Sequence, residues 1–85
     1  MPRREVARVV VYHATDCRLC ARALEVVHEI HAEVGFEFDL VDIGGDAELE
    51  ARYREGLPVL EIDGERAFTY FVDPDALRAR LLSMQ

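Results

Sequence analysis

The chain holds two cysteines, Cys17 and Cys20, separated only by Arg18 and Leu19. A thiol pair at this spacing supports two kinds of chemistry. As a dithiol it exchanges with disulfides: one thiolate attacks a disulfide sulfur, and the second thiol resolves the mixed product. As a ligand pair it contributes to a zinc or iron–sulfur centre. The histidines are the other candidate ligands. At about 1.5 Å of rise per helical residue, His31 lies roughly 16 Å along a helix from Cys20. That exceeds any shared coordination sphere, and His28 fails on the same geometry. His13, Cys17 and Cys20 remain as three ligands that another chain or a small thiol would complete. Otherwise His13 reads as a loop residue beside the dithiol, and His28 and His31 as partly exposed helix positions.

The elements that position the pair can be read from periodicity. Val6 to Tyr12 is β-branched and nearly continuous in apolar character, as in a strand buried on both faces at the centre of a sheet. Thr15 and Asp16 are candidate helix caps. From Cys17 to about Val34, Leu19, Ala23, Val26, Val27, Ile30 and Val34 recur at steps of three and four, one stripe of an amphipathic helix. Gly35 is placed to stop it.

Phe36 to Ile43 begins by alternating, with Phe36, Phe38 and Leu40 on one face, as in a strand near a sheet edge. After Gly44 and Gly45, a short helix from about Asp46 carries Glu48/Arg52 and Glu50/Arg54 in the favourable order, with Leu49 and Tyr53 inward. Pro58 to Ile62 and about Arg66 to Val72 flank Asp63-Gly64, a strong hairpin signal. Phe68, Tyr70 and Phe71 read as core and sheet-face residues, Tyr12 as a core tyrosine. Asp73-Pro74-Asp75 opens a last helix with Leu77, Leu81 and Met84 on its apolar side.

The expected order is therefore βαβαββα, an α/β fold with a four-stranded mixed sheet flanked by three helices, as one domain over 1–85. The first two strands are parallel because a helix joins them, and the last two antiparallel because a tight turn does.

Composition narrows the function classes. Hydrophobic residues are 51% and charged residues 32%, which argues for a folded core over disorder. A net charge of -7 disfavours nucleic acid and anionic membranes as partners, since both need a basic surface. It suits a monomer. No segment approaches the ~20 apolar residues of a membrane span, and the apolar stretch after the N-terminal arginines is too short for a signal-peptide core. A cytoplasmic location is expected, where cysteine pairs are usually catalytic or metal-binding.

The element order, with Cys-x-x-Cys directly after the first strand and Leu57-Pro58-Val59-Leu60-Glu61-Ile62-Asp63-Gly64 later, resembles the thioredoxin fold in its short glutaredoxin-like form. The resemblance covers roughly Val6 to Leu82. It implies that Cys17 attacks and Cys20 resolves, that Leu57-Pro58 is a cis peptide facing the dithiol, and that the Leu57 backbone pairs with an extended substrate. The partners it implies are a disulfide-bearing protein or small thiol, and a reductase or low-molecular-weight thiol as electron donor. No cofactor beyond the cysteines is implied. Three departures stand out: Arg18-Leu19 between the cysteines, the absence of any lysine, and Gly44-Gly45-Asp46 in place of a later Gly-Gly-Asp. They leave glutathione a doubtful ligand.

The residues themselves support the same chemistry. A free thiol at a pKa of about 8.5 is mostly protonated at neutral pH. A helix N-terminus stabilises the thiolate through unpaired N–H groups and the helix dipole. Arg18 would act in the same direction and Asp16 against it, the two roughly cancelling. One turn on, Cys20 would lie beside Cys17 and deeper. The alternative is a redox-inactive binding module, or a metal or iron–sulfur carrier using the same cysteines.

Overall fold

The computed structural model describes residues 7–83, so Val6 and Met84 of the sequence reading lie outside the described residues. The order is β1 (Arg8–His13), α1 (Arg18–Glu33), β2 (Glu37–Asp42), α2 (Ala47–Tyr53), a 3-10 turn (Arg54–Gly56), β3 (Val59–Ile62), β4 (Glu65–Thr69) and α3 (Pro74–Ser83). The strands form one sheet in the order β2-β1-β3-β4. β1 is central, parallel to β2 and antiparallel to β3, and β3 is antiparallel to β4. This is the mixed α/β sheet with three helices that the sequence implied. No described helix is long and apolar enough to cross a membrane.

The pleat divides the core in two, because alternate residues of a strand face opposite sides. Val9 and Val11 of β1 and Leu60 and Ile62 of β3 point to one face, where α1 and α3 cover them with Val27, Ile30, Leu77 and Leu81. Tyr12 and Val59 point to the other face, covered by Tyr53 and Leu49 of α2. The first turn of α1 overhangs the end of β1, so Cys20 packs in this second cluster. Every side chain named on the first face is at most 3% exposed.

Several local signals are realised as read. Asp46 caps α2, its Oδ1 accepting from the Leu49 N–H at 3.1 Å. Asp73 accepts from the Asp75 N–H at 3.0 Å ahead of Pro74. Asp63 and Gly64 turn the hairpin at φ 51° and 84°, both in the left-handed region a two-residue turn of this hand requires. Asp42 closes a turn by accepting from the Gly44 N–H at 2.8 Å.

Other expectations need correction. α1 ends at Val34 in an extended conformation (φ -123°, ψ 129°), so no left-handed glycine cap is used and Gly35 merely follows the helix. Leu40 is 46% exposed: it sits on the edge strand β2, although it lies in register with the fully buried Val11 of β1. Glu50 and Arg54 pair at 2.8 Å, but among the described residues Glu48 and Arg52 do not. Arg52 lies over the Tyr53 ring instead, 5.6 Å from its centroid. β4 stops at Thr69 rather than Val72. Tyr70 leaves the strand at φ 65°, and a bond from the Phe71 N–H to the Thr69 carbonyl at 2.7 Å closes a tight turn around it. Tyr70 and Phe71 are consequently 47% and 71% exposed, not core.

Candidate functional site

Cys17 is the N-cap of α1. Its backbone is extended (φ -108°, ψ 110°), and its sulfur accepts the N–H of Cys20, three residues into the helix, at 3.1 Å. A cap must take an N–H that has no partner inside the helix, and here a sulfur fills the role expected of Thr15 or Asp16. The Cys17 N–H in turn binds the Ala14 carbonyl at 3.3 Å, which fixes the approach of the loop. The two cysteines are joined as a disulfide with Cα atoms 5.3 Å apart. They are not equivalent: Cys17 is half-buried, whereas Cys20 is 2% exposed among Ala14, Ile43, Tyr53, Leu57 and Val59.

The segment before β3 supplies the opposite wall. The Leu57–Pro58 bond is cis, Leu57 is extended (φ -60°, ψ 140°) and 7% exposed, and Pro58 is fully buried. Leu57 shares the cluster that contains Cys20 and against which Cys17 packs, so three of the four singled-out residues come together although Leu57 lies forty positions from Cys17, and Pro58 follows Leu57 in the chain.

His13 lies at the end of β1, its carbonyl taking the Ile43 N–H at 2.9 Å. His28 and His31 face the β2 side of α1: His28 stands edge-on to Phe38 at 5.4 Å, and His31 to Phe36 at 4.8 Å. Among the described residues no group of three or more His, Cys, Asp or Glu side chains could hold a metal ion.

Three features of the site lay beyond the sequence reading. Arg54, in the turn that leads to Leu57, binds Asp16 at 3.1 Å and Glu50 through two 2.8 Å bonds. Its hydrogen bond holds the Asp16 carboxyl below the ordinary carboxylate range. The expected balance of Asp16 against Arg18 is therefore replaced: Arg54 offsets Asp16, and Arg18 makes no ion pair among the described residues. Nothing local to either residue signals a contact spanning 38 positions.

Second, Tyr12 and Tyr53 stack with ring centroids 3.9 Å apart and planes 10° apart. Both hydroxyls donate to Glu61, Tyr53 at 2.9 Å and Tyr12 at 3.4 Å. Burial first, then the neighbouring Tyr12 hydroxyl and Glu61 carboxylate, push the Tyr53 phenol well above its usual range. Tyr12 is thus a half-buried wall of the second cluster rather than a plain core residue. A lone carboxylate inside Val59-Leu60-Glu61-Ile62 was the available signal, since an acid in a buried strand must find a donor. Third, Phe71 stands exposed and lines an apolar groove together with Leu19.

Comparison with known proteins places this geometry. A sequence model described as "Glutaredoxin-like domain (DUF836)" matches residues 8–82. The chain belongs to that family. This glutaredoxin-like domain is similar to the solution structure of protein Ne2328 from Nitrosomonas europaea, with 26% identity and a TM-score of 0.77 over 95% of this chain and 98% of that one. It is similar also to the X-ray structure of protein XcR50 from X. campestris, with 32% identity and a TM-score of 0.73 over 88% of this chain and 96% of that one. Chloroplastic thioredoxin z superposes with a TM-score of 0.78 at 18% identity, over 95% of this chain and 80% of that one. That likeness is one of fold alone.

Proposed function

We propose that this glutaredoxin-like domain is a thiol–disulfide oxidoreductase in which Cys17 is the nucleophile and Cys20 the resolving thiol. The observation that carries the proposal is the asymmetry of the pair. The Cys17 sulfur sits at a helix N-terminus with an N–H donated to it, partly open to solvent, while Cys20 is enclosed one turn below. A donated N–H and the helix dipole both favour a thiolate over a thiol.

In the reduced protein the Cys17 thiolate attacks one sulfur of a substrate disulfide. That bond breaks, and the departing sulfur leaves as a thiolate that takes up a proton. Cys20 then loses its proton and attacks the Cys17 sulfur, which releases the second substrate thiol and forms the Cys17–Cys20 disulfide. Two electrons have passed from the dithiol to the substrate. A dithiol reductase or a low-molecular-weight thiol returns them. The cysteines carry the redox equivalents themselves, and no further cofactor enters the cycle. Leu57 presents an extended backbone opposite the dithiol, suited to pairing with a substrate segment held in line for attack.

Reduction of a reporter protein disulfide by the pre-reduced domain is the direct test. Cys17→Ser should abolish it, and Cys20→Ser should trap the mixed disulfide with substrate. Unchanged reduction by Cys17→Ser would sink the assignment.

A further inference from the structure

Beside the dithiol, residues 70–74 stand off from the first turns of α1 and leave a groove of about 160 Å³. Its walls are Leu19, Ala23 and Val26 from the helix and Phe71, Val72 and Pro74 from the loop. The geometry points to a side-chain pocket for the substrate: the groove takes one large apolar side chain, carried by a protein segment next to the cysteine under attack. This rests on the oxidoreductase reading of Cys17 and Cys20.

Size, position and charge select the occupant. An apolar cavity of about 150 Å³ is enough to hold a benzene ring, so the volume matches a single aromatic or branched aliphatic group. Leu19 directly precedes Cys20 on α1 and lines the groove, although neither cysteine does, so the groove lies one residue away from the dithiol. The loop wall is tied to the other side of the site, because the Tyr70 N–H binds the Pro58 carbonyl at 3.0 Å.

The wall is also held in place at a cost. A positive φ at tyrosine is disfavoured and persists only where the surroundings over-determine it. Here the Tyr70 N–H binds the carbonyls of both Gly56 and Pro58, and its hydroxyl donates to the Glu55 carbonyl at 2.7 Å. The result is a strained turn that holds Phe71 out at 71% exposure, where a relaxed strand would have turned it over the sheet.

Anions are poorly served at this groove. The Arg22 guanidinium at its rim is engaged by Glu25 at 2.9 Å. At the start of α3, Pro74 has no N–H, and the Asp75 N–H is taken by the Asp73 carboxylate. Asp73 adds a negative charge there, while Asp75 is paired with Arg78 at 2.8 Å, in a chain whose net charge is already -7. A neutral apolar side chain fits; the one cation among the lining residues, Arg22, is already paired, so a dicarboxylate thiol such as glutathione gains no unpaired cation inside the groove.

The test is single-turnover oxidation of the pre-reduced domain by disulfide-linked peptides that differ only in the residue after the cysteine, phenylalanine against glycine. The readout is the ratio of second-order rate constants within each protein. Wild type should favour the phenylalanine peptide by about tenfold, the scale of one large group entering an apolar pocket. Glutathione disulfide should react more slowly than either peptide. Phe71→Ser should bring the ratio close to one and Phe71→Leu should retain most of it, with circular dichroism verifying that both variants are folded. A ratio near one in wild type, or a ratio that survives Phe71→Ser, overturns the pocket while Cys17-dependent oxidation by both peptides keeps the oxidoreductase reading. A concentration-dependent dimer that Phe71→Ser dissolves would make a second copy the occupant and overturn the substrate assignment. Failure of every disulfide to oxidise Cys17 overturns both.

Discussion

Replacing Tyr53 by phenylalanine isolates the hydrogen bond that ties α2 to β3 beneath the dithiol. The ring is 3% exposed and stacked on Tyr12, so the substitution opens no cavity. What disappears is a 2.9 Å bond to the half-buried Glu61 carboxylate. Hydrogen bonds to charged groups contribute about 1.5–3 kcal/mol net, and water reaching Glu61 puts this one at the low end, about 1.5 kcal/mol. Tyr12 cannot replace it, because its own bond to Glu61 is already long at 3.4 Å.

For a domain of this size 1 kcal/mol moves Tm by about 4–8 °C, so Tyr53→Phe should unfold about 6–12 °C lower. The assay is thermal and urea unfolding of the oxidised protein at neutral pH, with Glu61→Gln and the double variant closing a mutant cycle. A second arm uses pH. The Tyr53 phenol is raised above its ordinary value of 10.0 by burial first. A group raised in the folded state contributes stability that is complete below its unfolded pKa and is lost as pH rises through the folded one. Wild type should therefore lose more stability in strong base than Tyr53→Phe does. The reasoning is refuted if Tyr53→Phe costs less than about 0.5 kcal/mol and the cycle shows no coupling to Glu61.

Two further outcomes follow from the same geometry. Arg54→Ala should leave Asp16 uncompensated beside Cys17, so the pH at which the reduced protein is half-maximally alkylated should rise, and added salt should shrink the difference. An unchanged alkylation profile would mean that Arg54 does not bear on the thiolate. Leu77→Ala should cost about 2–5 kcal/mol, because Leu77 is 0% exposed and anchors α3 against α1 and the sheet. Total stability for a small domain is about 5 kcal/mol or a little more, so this variant should begin to unfold at the lowest urea concentrations.

Local chemistry explains what was legible beforehand. The stripe Ala23, Val26, Val27 and Ile30 had to face a core wherever that core lay, and all four are at most 2% exposed. Asp46 and Asp73 cap their own helices through bonds that span two or three residues. Asp63-Gly64 turns within itself. A helix joining β1 to β2 and a two-residue turn joining β3 to β4 dictate parallel and antiparallel pairing without reference to anything distant. Signals of this kind compete only with their neighbours.

The dithiol site was legible in part, for the same reason. Cys17 and Cys20 at a strand-to-helix junction are a local arrangement, and their position relative to the helix follows from the helical period. Which residue caps α1 was not decided locally. Thr15 and Asp16 were the expected caps, but the carboxylate of Asp16 is bound by Arg54 from 38 positions away, and the Cys17 sulfur takes the Cys20 N–H. Tyr70 and Phe71 carry the same apolar character as a strand. Bonds from Tyr70 to Glu55, Gly56 and Pro58 end the strand early and turn Phe71 outward.

The sequence by itself thus determined the elements, their order, the pairing of the strands and the placement of two thiols one helical turn apart. Tertiary structure alone decided the environment of those thiols: the arginine that offsets Asp16, the tyrosine pair on Glu61 and the apolar groove under Phe71. The division is physical. Periodicity and turn chemistry act over a few residues, whereas charge compensation and exposure depend on which distant groups the fold brings within hydrogen-bond reach.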